Sequence, residues 1–256
     1  MRSDAGEPVR PLAGRTVVVT RPADQSATLV AEVRRLGGRA IVAPAIEIVS
    51  ARSASLTRAL RELETGAFSW VTLTSRATVD VFASRLPGPR ALGDTKVAAI
   101  GDGTATAFRR WARRDADLVP ATFTTAGLSR AFPRGSGRVL CARADIAPKG
   151  LEDALAAKGW SPTRVDAYRT RMPRSLPKDA RDALRAGKVD AVTFTSASTV
   201  RGFVGALGSV KGSPKVVCIG PVTAKEARAH GLTVHAVAKP HTIDGLGRAL
   251  VRALSR

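Results

Sequence analysis

An internal repeat constrains this chain more than any other feature. The segment VTLTSRATVDVF (71–82) returns as VTFTSASTVRGF (192–203), identical at seven of twelve positions. AAIGDGTA (98–105) returns as VCIGPVTA (217–224), and FTTAGL (123–128) as HTIDGL (241–246). The offsets are 121, 119 and 118 residues, so order and spacing persist. One matching segment arises easily by chance; three in register point to a duplicated unit. A fourth pair, residues 14–44 and 137–167, keeps nearly the same offset, 123 residues. With 52–167 taken as one compact domain, this stretch precedes the rest of its domain in the first case and follows it in the second. The simplest arrangement makes 1–49 plus 172–256 one discontinuous domain, with 52–167 inserted as the other. Two chain crossings, near 45–52 and 167–172, then join them. Such a paired crossing is a natural hinge.

The fold class follows from periodicity. Short Val- and Ile-rich runs alternate with amphipathic stretches of roughly 11 to 15 residues, the pattern of parallel β/α units. Strands are expected at 15–20, 40–43, 70–74, 96–100, 117–119, 138–142, 163–167, 190–194, 215–219 and 233–236. Helices are expected at 25–36, 53–64, 76–85, 103–113, 148–158, 176–186, 198–206, 222–230 and 243–254. Ten strands suit two sheets of five: an α/β protein of two similar flavodoxin-like parallel-sheet domains, with the active-site cleft between them. In such sheets the ligand crevice lies beyond the carboxyl ends of the strands.

Composition narrows the chemistry. Apolar residues make up 44% of 256, enough for two cores and too many for wholesale disorder. No apolar run reaches the length of about 18 residues that a membrane helix needs. The opening MRSDAGEPVRPLAG (1–14) lacks the apolar core of a signal peptide and reads as a loose polar tail, which places the protein in the cytoplasm. Cys141 and Cys218 lie in apolar runs, far apart in sequence, as inert core thiols. His230, His235 and His241 show no metal-ligand spacing, so no metal is expected. Forty-one Lys and Arg against 21 Asp and Glu leave a formal charge of +20. That field attracts polyanions, either nucleic acid or a small polycarboxylate, but the basic residues are scattered over helical faces and also read as solvated surface.

Small polar residues recur where strands give way to helices: Thr74, Ser75, Gly101, Thr104 and Thr124 in one copy, and Thr195, Ser196, Gly220, Thr223 and Thr242 in the other. Helix N-termini there offer backbone N–H groups and a positive dipole end to carboxylates or phosphates. Ser and Thr at such places also cap helices, so each position alone has two readings. Neither IGDGT nor IGPVT completes a nucleotide-binding glycine pattern. Arg21 and Arg143 end equivalent strands and read as carboxylate clamps or as surface arginines. Tyr168, the one tyrosine, falls at the second crossing, where it either faces the cleft as a proton donor or packs the hinge.

Taken together, VTRPADQSATLVAEVRRLGGRAIVAPAIEI, WVTLTSRATVDVF, VAAIGDGTA, DLVPATFTTAGL, VLCARAD, VDAYRT, AVTFTSASTV, CIGPVTA and HTIDGLGRAL resemble the uroporphyrinogen-III synthase family, from about Gly14 to Leu254. The resemblance implies two α/β domains joined by a two-stranded β-ladder. It implies cyclisation of hydroxymethylbilane with loss of water and inversion of ring D, through a spiro intermediate and with no cofactor. It assigns Tyr168 to helping the hydroxyl depart, and Thr195, Ser196, Gly220 and Thr223 to holding substrate. Two departures stand out: Arg76 replaces a residue that is often small, and Arg143-Ala144-Asp145 lacks the family's glycine turn. The implied partners are the polycarboxylate substrate and the preceding deaminase, with no specific nucleic acid, no membrane and a monomeric chain. Two rivals share the domain pair: a ligand-binding protein without catalysis, and a nucleic-acid-binding regulator.

Overall fold

The computed structural model describes residues 10–207 and 212–255. Contacts divide the chain into two compact units. One takes the chain up to Glu47 and from Arg171 onward; the other is Ile48–Thr170.

The first unit holds β1 (Thr16–Val19), β2 (Arg39–Val42), β8 (Ala191–Phe194), β9 (Lys215–Cys218) and β10 (Val234–Val237). They form one parallel sheet in the order β10-β9-β8-β1-β2, the doubly wound order of flavodoxin-like folds. Pleating sends alternate residues to opposite faces. Val18, Val192 and Phe194 therefore pack with Leu184 and Phe203 on one side. Val17, Val19 and Val217 pack with Leu29, Val33, Leu246 and Leu250 on the other. The helices supplying these side chains are α1 (Ala27–Arg35) and α10 (Ile243–Leu254) on one face, with α7 (Lys178–Arg185) and α8 (Ala197–Ala206) on the other; α9 (Pro221–Ala229) follows β9. Each fully buried Leu or Phe stabilises by roughly 1.5–3 kcal/mol.

The second unit contains β3 (Glu47–Ser50), β4 (Trp70–Leu73), β5 (Lys96–Ala99), β6 (Arg138–Ala144) and β7 (Ser161–Arg171), in the order β3-β7-β6-β4-β5. Its helices are α2 (Ala54–Glu64), α3 (Arg76–Arg85), α4 (Asp102–Ala112), α5 (Thr125–Ala131) and α6 (Gly150–Ala156). The repeat explains the order. β6 and β7 correspond to β1 and β2, while β4 and β5 correspond to β8 and β9, so both sheets share one parallel core whose chain ends fall at different places. Leu56, Leu60, Phe82 and Phe108 cover one face, and Leu128, Phe132, Leu151 and Leu155 the other.

Four expectations change. The strand expected at 117–119 is a single bridge, Leu118 to Ala98. Asp117 uses its carboxylate to accept the Val97 N–H at 2.8 Å, and Pro120 follows two residues after Leu118, so no ladder can grow. The crossing near 45–52 contains a strand missing from the expected ranges, β3, which neighbours β7 as the two-stranded ladder of the resemblance calls for; β7 itself runs to Arg171 rather than stopping near 167. Helix α5 lies outside the expected helix ranges, although Thr124 is read as standing at a helix start. Finally, residues 1–9 of the expected loose tail lie outside the described residues, but Leu12 is fully buried and its N–H donates to the Leu36 carbonyl at 2.9 Å, so the tail's end belongs to the core.

Candidate active site

At the carboxyl edge of each sheet a strand gives way to a helix, and the repeated polar residues stand at those junctions. Ser75, Thr124, Ser196 and Thr242 are the N-caps of α3, α5, α8 and α10. Each hydroxyl accepts the N–H three residues on, at 3.2, 3.0, 3.2 and 3.1 Å. Ser196 completes a capping box with Thr199. Capping is thus an observed role for these four. It satisfies one orphan donor of each first turn and leaves others directed past the strand ends.

Gly101 and Gly220 begin α4 and α9 with no side-chain cap. Their backbone is extended, so glycine is not needed there for its torsions. At Gly101 it is needed for space: a Cβ would stand 2.7 Å from Cγ of Phe123. At Gly220 the His241 ring lies 3.6 Å from the same point. Thr104 and Thr223 sit in the first turns of these two helices and are buried, while Thr74 and Thr195 are half-buried beside the caps.

Tyr168 lies on β7 with its ring in the core of the inserted unit, 7% exposed. Burial pushes its phenol above the ordinary value; Ser75 and Arg143 pull the other way, and Asp145 adds to the rise. Three neighbouring strands, β7, β6 and β4, bring this group together. The order β6-β4 is also where the winding of the sheet reverses, the place at which such folds bind ligands.

Arg143 is the last residue but one of β6. Its guanidinium is 3% exposed, 3.0 Å from the Glu152 carboxylate and 2.7 Å from the Pro148 carbonyl. The expected clamp is therefore a buried ion pair beneath the edge. Arg76 points outward and pairs with Asp80 at 3.7 Å. Arg21 follows β1, half-buried, and Ser26 donates to its carbonyl. Cys141 and Cys218 are free and buried, with burial pushing their thiols up to about 12 and about 11. Among the described residues no three of His, Cys, Asp and Glu gather where a metal ion could be held, and no helix is long and apolar enough to cross a membrane.

Sequence reasoning missed two sets of residues. Thr20 donates to the Thr193 carbonyl at 2.7 Å while Thr193 donates to that of Val18 at 3.0 Å, locking β1 to β8 where the other winding reverses. Phe123 and His241 were also passed over, although their alignment in FTTAGL and HTIDGL was visible.

Residues 27–247 match the family model described as Uroporphyrinogen-III synthase HemD. The chain belongs to the uroporphyrinogen-III synthase family. It is 29% identical over 252 residues to the uroporphyrinogen-III synthase of Synechococcus elongatus, covering 93% of this chain and 94% of that one. It is 30% identical over 246 residues to the porphyrin biosynthesis protein HemD of Ruminiclostridium josui, of whose length it spans only 48%. In fold it resembles a crystallised mutant uroporphyrinogen III synthase of Thermus thermophilus, with a TM-score of 0.65 at 22% identity over 94% of this chain and 99% of that one. Membership in the uroporphyrinogen-III synthase family gives the capped junctions and the Tyr168 group a substrate to be tested against.

Proposed function

We propose that this chain cyclises hydroxymethylbilane to the type III ring, with Tyr168 as the proton donor. The observation that supports this most is the family match over residues 27–247, which spans every junction residue and Tyr168. A phenol is protonated at neutral pH, as a donor must be, and burial pushes this one further in that direction. As the C–O bond of the hydroxymethyl group breaks, the hydroxyl takes the Tyr168 proton and leaves as water. The conjugated cation left behind is attacked by the substituted carbon of the fourth pyrrole, giving the spiro ring whose opening and reclosure invert that pyrrole. The proton finally lost from carbon returns to the phenolate, whose charge Arg143 offsets meanwhile. Electrons balance without a redox carrier.

The substrate bears two carboxylates on every pyrrole, and the rim of each domain offers groups to meet them: the uncapped starts of α4 and α9 at Gly101 and Gly220, the hydroxyls of Thr74, Thr104, Thr195 and Thr223, the capped turns behind Ser75, Thr124, Ser196 and Thr242, and Arg21. Their task is conformational, since the unguided chain closes to the unrearranged isomer. We place the protein in the cytoplasm as a monomer, receiving its short-lived substrate from the preceding deaminase. The paired passage of the chain between units serves as the hinge.

The test supplies freshly generated hydroxymethylbilane and separates type I from type III product. Type III as the main product supports the reading; type I alone, at the uncatalysed rate, removes it.

A further inference from the structure

Among the described residues the large apolar side chains left in solvent are Val119, Phe123, Ile146, Met172 and Val222, between 37% and 60% exposed. Every one follows the carboxyl end of a strand or bridge: Val119 and Phe123 come after the Leu118 bridge, Ile146 after β6, Met172 after β7 and Val222 after β9. Scattered singly, apolar side chains on a surface are ordinary; one of these five has more than its exposure behind it.

Phe123 is the member with a built seat. Its side chain rests on Gly101, whose missing Cβ makes the room, and it belongs to neither apolar cluster of its unit. At 46% exposure it is held without being buried. The repeat puts His241 at the equivalent position over Gly220, where its Nδ1 lies 2.8 Å from the Ala238 carbonyl, and this ring is exposed too. Two rings of different chemistry thus stand at one repeat position, each braced against the glycine that opens a helix. What they share is a flat face next to the groups that suit carboxylates.

We infer that Phe123 and His241 are positioning residues on which pyrrole rings of the substrate stack, one in each domain, and that this stacking helps decide which isomer forms. The inference rests on the proposed function and adds the part of the substrate that each ring meets. A pyrrole is flat, electron-rich and joined to its neighbours by flexible bridges. Its carboxylates can anchor it in several rotations; a ring laid against one face limits the choice. Aromatic pairs are worth enough to change KM by roughly threefold to tenfold when one partner is lost.

The experiment compares Phe123→Leu and His241→Leu, which keep apolar bulk and lose the ring, with Phe123→Tyr and His241→Phe, which keep a ring. Thermal melts come first, and a Leu variant that melts well below the wild type is replaced by Met. The expected result is a KM raised roughly threefold to tenfold and a larger type I fraction in the Leu variants, with both restored in the ring-bearing ones. A purely structural role would move the melts and would not sort with the presence of a ring. Wild-type isomer ratio and KM in both Leu variants overturn the inference while leaving the synthase reading intact. Type I alone from the wild-type protein overturns both.

Discussion

Loss of solvent acts alike on Tyr168, Cys141 and Cys218, and its consequences differ with the charge each group would need to carry. For the phenol, the proton is in place at neutral pH with or without the shift. Replacing Tyr168 by Phe preserves the buried ring, so we expect kcat for type III formation to fall roughly a hundredfold with little change in KM; stopped assays on fresh substrate would show it. For the thiols the same effect bears on stability. Cys141 rises from an ordinary 9.0 to about 12 on folding, so the unfolded chain loses that proton first. Stability is unaffected below about pH 9 and falls as pH climbs toward 12. The loss attributable to Cys141 is of order 2–3 kcal/mol by about pH 11. Urea titrations at about pH 8 and pH 11 should show a smaller pH-dependent loss in Cys141→Ala than in the wild type. Tyr168 was legible in the sequence as the one tyrosine at a crossing. Its companions were not: Arg143 stands within one residue of the end of β6 as expected, but nothing in VLCARAD says that its guanidinium turns inward to Glu152.

The junctions show how a repeated motif can carry two messages. Gly127 and Gly245 recur because a Cβ at either would collide with a backbone carbonyl, of Thr122 and Pro240, as the chain folds into the cap. The recurrence of T-x-x-G in FTTAGL and HTIDGL is thus cap geometry as well as a mark of the rim. Ser196→Ala should cost about 1 kcal/mol through loss of the α8 cap and leave turnover largely intact. Gly245→Ala should cost more, because the carbonyl it meets is backbone and cannot swing aside. Melting temperatures alongside turnover separate the two roles. Single replacements at Thr195 or Thr223 should slow the reaction without abolishing it, since backbone amides share the work. Most elements were legible because parallel strands buried on both faces leave continuous apolar runs. The exceptions have local causes. β3 reads EIVS with no fully buried residue, α5 has seven residues including a glycine, and Leu118 is confined between Asp117 and Pro120.

Over the whole molecule, the +20 charge is spread among helix faces and partly paired, as in Arg35 with Glu32 and Arg114 with Asp117. It acts as a field rather than as a patch. A polycarboxylate should be drawn in by it, so kcat/KM should fall by several-fold as ionic strength rises from about 0.02 to 0.5 M, with kcat much less affected. Initial rates in a salt series would check this, and a flat response would leave the charge without a part in capture. The repeat was legible at this scale because four matched segments keep their spacing, at offsets of 118 to 123 residues. The second sheet's edge strand β3, by contrast, has no matching segment in the first copy, so no internal comparison could reveal it.

That edge strand has a consequence for how such a molecule could have arisen. The inserted unit opens with β3 and closes with its sheet neighbour β7, and it owns both of the apolar layers that cover its sheet. It is a cassette: a stretch that can be spliced into or lifted out of a surface loop of its host without either partner surrendering core residues. A gene duplicated in tandem yields this order of strands in one step, with no new cut: the two outer stretches close around one centre and the middle stretch around another.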